Sequence, residues 1–210
     1  MRSNKTKDRF SAPLLQGALA VAVSAHAGQI RKGSKRPYIE HPIAVARMIQ
    51  EFGGSLEQIA GGLLHDTVED SDLILSDIES DFGPIIAEIE SDCSDSVGNP
   101  TQKKSWESRK VEHIRKLGRL PLERASLLVV ACDKIHNTNC IVNEFGEIGD
   151  DVWRIFKAGP EKTVWYYSEI LNVLTKKREG LGLQSEAVVC EFRTNVEKMK
   201  GFLNKRCSNG

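Results

Sequence analysis

Nowhere is this chain apolar for anything near the ~20 residues a membrane-spanning helix needs, so no bilayer span and no membrane partner is expected. Five cysteines (Cys93, Cys132, Cys140, Cys190 and Cys207) form no C-x-x-C pair and are odd in number. That argues against a disulfide framework and for reduced, largely buried thiols in a cytoplasmic protein. Strand-period alternation persists nowhere, and neither a repeat nor a low-complexity tract appears. A Gly-rich phosphate loop, a Ser or Cys nucleophile motif and zinc-finger spacing are all missing. Gln16, Ser24 and His26 interrupt the apolar stretch Leu14 to Ala27, which therefore reads as an amphipathic helix rather than a signal peptide.

Positive charge is absent from one long segment. Between Arg47 and Lys103 there is no Lys or Arg, while thirteen Asp and Glu fall there, although the whole chain is formally neutral. Two basic clusters flank this acidic segment: Arg31, Lys32, Lys35 and Arg36 before it, and Lys103, Lys104, Arg109, Lys110, Arg115, Lys116 and Arg119 after it. Most such charges solvate helix faces, but an acidic centre with basic arms also suits a polyphosphate bound through metal and Lys/Arg. Nucleic acid is not an expected partner, because only the basic tail (Lys198, Lys200, Lys205, Arg206) would favour it.

What is present is helical periodicity over 210 residues, enough for one domain with a sizeable core. Helices are expected from Leu14, with Ser11 as N-cap and Pro13 in the first turn, and then over 41–52, 55–67, 75–80 and 83–92. Others are expected over 105–117, over 122–143 behind Pro121, over 151–177 with a break at Gly159-Pro160, and over 185–203. Gly28 to Pro37 is a basic loop, Ser94 to Pro100 a polar break turning at Asn99-Pro100, and 146–150 a connector. The fold class is all-α.

One decapeptide concentrates chemistry. Gly61-Gly62-Leu63-Leu64-His65-Asp66-Thr67-Val68-Glu69-Asp70 holds one imidazole and three carboxylates. On a continuous helix, Glu69 would stand one turn above His65, and Asp70 one turn above Asp66. Upstream lies His41 in Pro37-Tyr38-Ile39-Glu40-His41-Pro42, and downstream Asp133 in Ala131-Cys132-Asp133-Lys134-Ile135-His136-Asn137-Thr138. His41, His65, Asp66 and Asp133 together offer two nitrogens and two oxygens to one divalent metal. Imidazole suits zinc, iron or nickel, and carboxylate suits manganese or magnesium.

The order His, His-Asp, Asp resembles the HD-domain phosphohydrolases. The wording Ala25 to Lys32, Pro37 to Ala46, Leu63 to Asp70 and Asp133 to Asn137 resembles one branch of them. That branch is the alarmone hydrolase domain of Rel/Spo-type stringent-response proteins and their small stand-alone relatives. Four separated motifs agree in order and spacing. The resemblance implies an HD-domain helical bundle, with a hydrolase domain over 1–180 and a helical appendage over 181–210 packed on it. It implies one Mn²⁺ ion and removal of the 3′-pyrophosphate of ppGpp or pppGpp, with Glu69 and Asp70 managing the water. By the same resemblance Arg31 packs on the guanine beside Lys32, Asn137 and Thr138 meet the nucleoside, and Tyr166 faces the ligand. Lys104, Arg109 and Lys134 are expected among the basic residues that hold the pyrophosphate.

In this loop Lys35-Arg36 make the chain more basic than is common in that branch. No room remains in 210 residues for the synthetase and regulatory domains of bifunctional members, so a stand-alone enzyme is expected. Oligomeric state stays open. Alternatives are an HD phosphatase for another nucleotide such as NADPH, or a catalytically silent nucleotide-binding module. His26 and His113 are expected to be structural, and His136 is given no chemical role. Trp153, Trp165 and Tyr167 are expected in the core.

Overall fold

The structure, a computed structural model, describes residues 4–33, 35–95 and 104–208. Its helices are α1 (Asn4–Ala25), α2 (Glu40–Glu51), α3 (Leu56–Leu64), the single turn α4 (Thr67–Asp70), α5 (Leu75–Phe82), α6 (Pro84–Cys93), α7 (Trp106–Arg119), α8 (Ser126–Ile148), α9 (Pro160–Lys176) and α10 (Ser185–Ser208). Two 3₁₀ stretches, Gly149–Ile155 and Arg178–Leu181, join the later ones. Among the described residues the only β-type pairing is an isolated bridge between Ile30 and Pro37, so the chain is all-α. The Asn99-Pro100 turn and Lys103 lie outside the described residues.

α8 is the hub. Its run Ser126 to Ile135 is buried throughout, apolar on every side from Leu127 to Cys132 and carrying the buried charges Asp133 and Lys134 beyond that. Leu127, Val129, Val130 and Ile135 have no solvent exposure, each such burial being worth roughly 1.5–3 kcal/mol. α10 enters the same cluster through Val188, Phe192, Val196 and Met199. A second cluster joins α1, α2, α3, α5 and α6 through Ala18, Ala46, Ala60, Leu64, Ile78 and Ile86.

Two glycines set the spacing near the site. A Cβ on Gly62 would lie 2.4 Å from Ile49 Cδ1, and one on Gly61 2.7 Å from Ile89 Cγ2. α3 therefore packs closely on both α2 and α6, which draws His65 toward His41. The start of α3 is held by a capping box: Gln58 N–H donates to Ser55 Oγ at 3.2 Å, and Ser55 N–H donates to Gln58 Oε1 at 2.8 Å. The Gln58 amide also donates to the Ala125 carbonyl at 2.9 Å, tying α3 to the start of α8.

Several expected boundaries move. α1 begins at Asn4, so Pro13 lies inside it and removes one backbone bond instead of opening the helix. α8 starts at Ser126, not behind Pro121, because the intervening residues form turns closed by Arg124 N–H on Pro121 O and Leu127 N–H on Arg124 O. It runs through Gly146 and ends at Gly149, whose φ of 59° fits a helix stop. Trp165 is 38% exposed, unlike buried Trp153 and Tyr167. Consecutive residues on a helix point about 100° apart, so Trp165, Tyr166 and Tyr167 could not all face inward.

Candidate metal centre

The expected continuous helix through His65 and Asp70 is broken. α3 stops at Leu64, Asp66 adopts φ −116°, ψ 1°, and α4 begins at Thr67. Local side chains satisfy the end of α3: the Thr67 hydroxyl donates to Leu64 O at 2.7 Å, and His65 Nδ1 donates to Gly62 O at 2.8 Å. A carbonyl can only accept, so the proton of His65 sits on Nδ1 and its Nε2 lone pair faces the cluster.

That cluster holds all four expected ligands. His41 Nε2 lies 3.2 Å from His65 Nε2, 3.4 Å from Asp66 Oδ2 and 3.2 Å from Asp133 Oδ1. His65 Nε2 lies 3.2 Å from Asp66 Oδ2 and 3.6 Å from Asp133 Oδ1. His41, His65 and Asp133 are buried and present ligand atoms within 4.8 Å of one another; Asp66, 22% exposed, joins from the histidine side. Burial alone would lower the His65 pKa, but Asp66 and Asp133 raise it well above the usual imidazole value. Both carboxylates are in turn held well below theirs against the same burial, Asp66 by His65 and His41, Asp133 by Lys134 and the two histidines. The cluster calls for positive charge, and two carboxylates with two neutral imidazoles match a divalent cation.

Supporting contacts surround this set. Tyr38 O–H donates to Asp66 Oδ2 at 2.7 Å, and burial followed by Asp66 keeps that phenol protonated. His136 Nδ1 lies 2.8 Å from His41 Nδ1, and burial followed by His41 pushes the pKa of His136 down to about 4. A neutral His136 accepting from His41 Nδ1 leaves the His41 Nε2 lone pair on the cluster. Residue chemistry alone hid both roles, because each depends on a long-range contact. Asn137 donates to Asp133 Oδ1 at 2.5 Å and accepts from Arg31 at 2.7 Å, which joins Arg31 to the ligand set.

Glu69 and Asp70 stand at the rim, both solvent-exposed. Partial desolvation, then Asp95 and Asp66, raise the pKa of Glu69; desolvation and Asp66 raise that of Asp70. Both carboxylates are thus tuned toward holding a proton. Ser94 Oγ lies 3.4 Å from Glu69 Oε2, and Gln29 donates to the Asp70 carbonyl at 2.7 Å. A cleft of about 610 Å³ lined by Val21, Ser24, Gln29 and Leu73 meets Asp70 from the α1 side, away from the ligand cluster.

Other expected site residues divide. Lys134 is buried against Asp133 at 2.5 Å, and Arg109 is paired with Asp95. Lys32 is exposed on the loop near Asp70. Lys104 is not brought to the site: it pairs with Glu112 at 2.7 Å on the outer surface. Thr138 is fully buried, its hydroxyl donating back along α8 and accepting from Asn195 at 3.2 Å, so it braces α10 and offers nothing to a nucleoside. Tyr166 is buried as well and presents no open hydroxyl. Its O–H donates to His113 Nδ1 at 2.8 Å, since His113 Nε2 donates to the Asp92 carbonyl at 3.2 Å. Burial, then Lys134 and Lys110, push the His113 pKa down to about 3, which fits its structural reading.

The profile of the HD domain matches residues 18–159. The chain belongs to the HD-domain family. Among curated proteins, a probable guanosine-3′,5′-bis(diphosphate) 3′-pyrophosphohydrolase of Synechocystis sp. is 44% identical over 85 residues, 40% of this chain and 11% of that one. A GTP pyrophosphokinase of Streptomyces coelicolor is 36% identical over 124 residues, 59% of this chain and 14% of that one. The chain thus spans only a small fraction of these relatives' length. Among solved structures, lmo0812 from Listeria monocytogenes EGD-e superposes with TM-score 0.60 at 29% identity, covering 78% of this chain and 99% of that one. A metazoan ortholog of SpoT, described as hydrolysing ppGpp, gives TM-score 0.60 at 20% identity over 92% and 95% of the two chains, a likeness of fold. No helix among the described residues is long and apolar enough to cross a membrane.

Proposed function

We propose that this HD-domain protein is a metal-dependent hydrolase of guanosine 3′,5′-bis-diphosphates, releasing the 3′-pyrophosphate and leaving GDP or GTP. The observation that carries this reading is the two-imidazole, two-carboxylate cluster with Glu69 and Asp70 beside it on a short turn. Relatives in Synechocystis and Vibrio cholerae named for that reaction, each 44% identical over the aligned residues, support the choice of substrate. Residues 1–180 form the hydrolase domain in this reading and 181–210 its C-terminal appendage. It acts in the cytoplasm on a small nucleotide, with neither nucleic acid nor membrane as partner.

His41, His65, Asp66 and Asp133 would hold the ion, Mn²⁺ in this proposal. When bound, it supplies Lewis acidity at phosphorus and lowers the pKa of coordinated water. Tyr38, His136 and Asn137 keep the ligand side chains in place. Glu69 accepts the proton of the attacking water, and Asp70, next to it on the same turn, orients that water. Arg31 offers a planar face to the guanine, with Lys32 near the phosphates. Lys134 and Arg109 bring positive charge to the pyrophosphate as its negative charge shifts toward the leaving oxygen.

Incubating the Mn²⁺-loaded protein with ppGpp, pppGpp, NADPH and deoxynucleotides, with chromatographic separation of products, tests the proposal. GDP and pyrophosphate from ppGpp, abolished by EDTA, is the expected result. Turnover of NADPH with ppGpp untouched would replace the substrate. Tight nucleotide binding without any turnover would make the chain a silent binding module.

A further inference from the structure

Tyr38 stands between Asp66 of the His/Asp cluster and Asp70 of the rim, and the groups that hold Tyr38 come from the end of α1. Its O–H donates to Asp66 Oδ2 at 2.7 Å, and the same hydroxyl is a hydrogen-bond neighbour of the Asp70 carboxyl. His26, 3% exposed, packs its ring on Tyr38 with centroids 4.8 Å apart. Gly28, at φ 73°, turns the chain just after His26 and brings Gln29 back onto it. The Gln29 amide donates to two carbonyls, Ala25 O at 3.2 Å and Asp70 O at 2.7 Å. Those two bonds fix its orientation, so Oε1 faces His26 Nδ1 at 2.9 Å and accepts from it. The Gln29 carbonyl in turn accepts from Tyr38 N–H at 2.9 Å. One glutamine therefore grips the rim turn with its side chain and Tyr38 with its backbone, while His26 locks both the amide and the phenol ring. The rim turn itself joins the two carboxylates through a backbone bond, Asp70 N–H on Asp66 O at 3.0 Å.

We infer that His26 and Gln29 are positioning residues, which fix where the Asp70 carboxylate stands relative to Asp66, with Tyr38 as the spacer between the two. A helix of four residues has too few internal bonds to hold a carboxylate in one place by itself, and misplacement by about 1 Å can cost about 10²-fold in rate. His26 and Gln29 touch neither metal nor substrate in this role; they act through the Asp70 carbonyl and the Tyr38 ring. That Asp70 orients water rests on the function proposed above, whereas its placement by these two residues does not.

Gln29→Met keeps length and neutrality but removes both donors, so a mere packing role would survive it. In the Mn²⁺-loaded full chain it should lower kcat on ppGpp by about ten-fold, with KM and metal affinity within about three-fold of wild type. In an Asp70→Asn background the same change should cost less than about two-fold, because the group being placed is gone. Amide hydrogen exchange reads the placement without turnover: Gln29→Met should speed exchange at Asp70 and Ser71 by about five-fold or more. His26→Leu should reproduce the loss of kcat, and His26→Asn, whose side-chain N–H can stand where Nδ1–H does, should recover most of it. Should Gln29→Met fail to fold, the two His26 variants carry the same test. Unchanged exchange at the rim turn, or Gln29 and Asp70 effects that multiply in full, overturns the proposal. Failure to hydrolyse ppGpp alongside faster rim exchange would remove the proposed function and leave the positioning intact.

Discussion

His41, His65 and Asp133 have almost no solvent contact, whereas Glu69 and Asp70, only a few residues beyond His65, stand in the open. The ligands come from three packed stretches, at α2, the end of α3, and α8, and each is held by a further side chain or carbonyl. The two rim carboxylates sit on a single helical turn. That turn is tied down by Gln29 on the Asp70 carbonyl, by Ser71 Oγ on Thr67 O at 2.6 Å, and by Val68 N–H on Glu90 Oε1 at 2.8 Å. A buried, braced ligand set costs little reordering when a cation binds, while exposed carboxylates on a turn fixed by its backbone can still adjust their side chains to a bound molecule. In the function proposed above, metal binding falls to the buried part and proton handling to the rim, in keeping with this difference.

The sharpest way to break this comparison is to remove a buried ligand. His65→Ala or Asp133→Ala should lower metal affinity by at least ~10-fold, since a lost ligand should cost no less than a lost supporting contact, and turnover should fall with it. Metal titration followed by calorimetry checks the first effect. Retention of wild-type affinity would mean that the cluster is not the metal site.

Next comes the rim. Glu69→Gln and Asp70→Asn should keep the metal bound and cut kcat by about 10²-fold, the scale of positioned acid–base help. Arg31→Ala should act mainly on KM, because base stacking is similar in ground and transition states. Wild-type kcat in both rim variants would move the proton-handling role elsewhere.

Glu90 lies beneath the rim turn, fully buried, and burial pushes its carboxyl up to about 8. The folded protein keeps a proton there that the unfolded chain releases near the ordinary Glu value of about 4.5. Stability from this group is therefore full in acid, is lost progressively as pH rises from about 4.5 toward 8, and falls no further above that. Glu90→Gln should remove this slope and gain on the order of 1–3 kcal/mol near pH 8. Thermal unfolding from about pH 5 to 9 measures it, and parallel curves for the two proteins would show Glu90 ionised in the fold.

Smallest of all is the effect expected at Lys104. Its pairing with Glu112 on the surface predicts that Lys104→Ala changes KM by less than about two-fold, as is usual for an exposed ion pair. A ten-fold rise in KM would return Lys104 to the site.

Much of the site was readable in the residues because its signal is chemical: histidines and aspartates in that order have few other uses together. The rest was not. Asp95 and Glu90 read as ordinary acidic residues, and only burial separates them from Asp77 or Glu79 on the surface. Thr138 and Tyr166 follow or fall near motif positions, yet one braces α10 and the other supports a lysine pair.

By itself, the sequence determined the all-helical architecture, the four residues that gather in the His/Asp cluster and the pairing of an acidic centre with basic flanks. Apolar spacing and side-chain donor chemistry are local properties, written residue by residue. Tertiary structure alone decided where α3 ends, which lysines turn inward, and that His136 and Tyr38 stand behind the ligands. Those outcomes depend on distances between α2, α3, α7, α8 and α9, and such distances are set by close packing at Gly61, Gly62 and the buried face of α8.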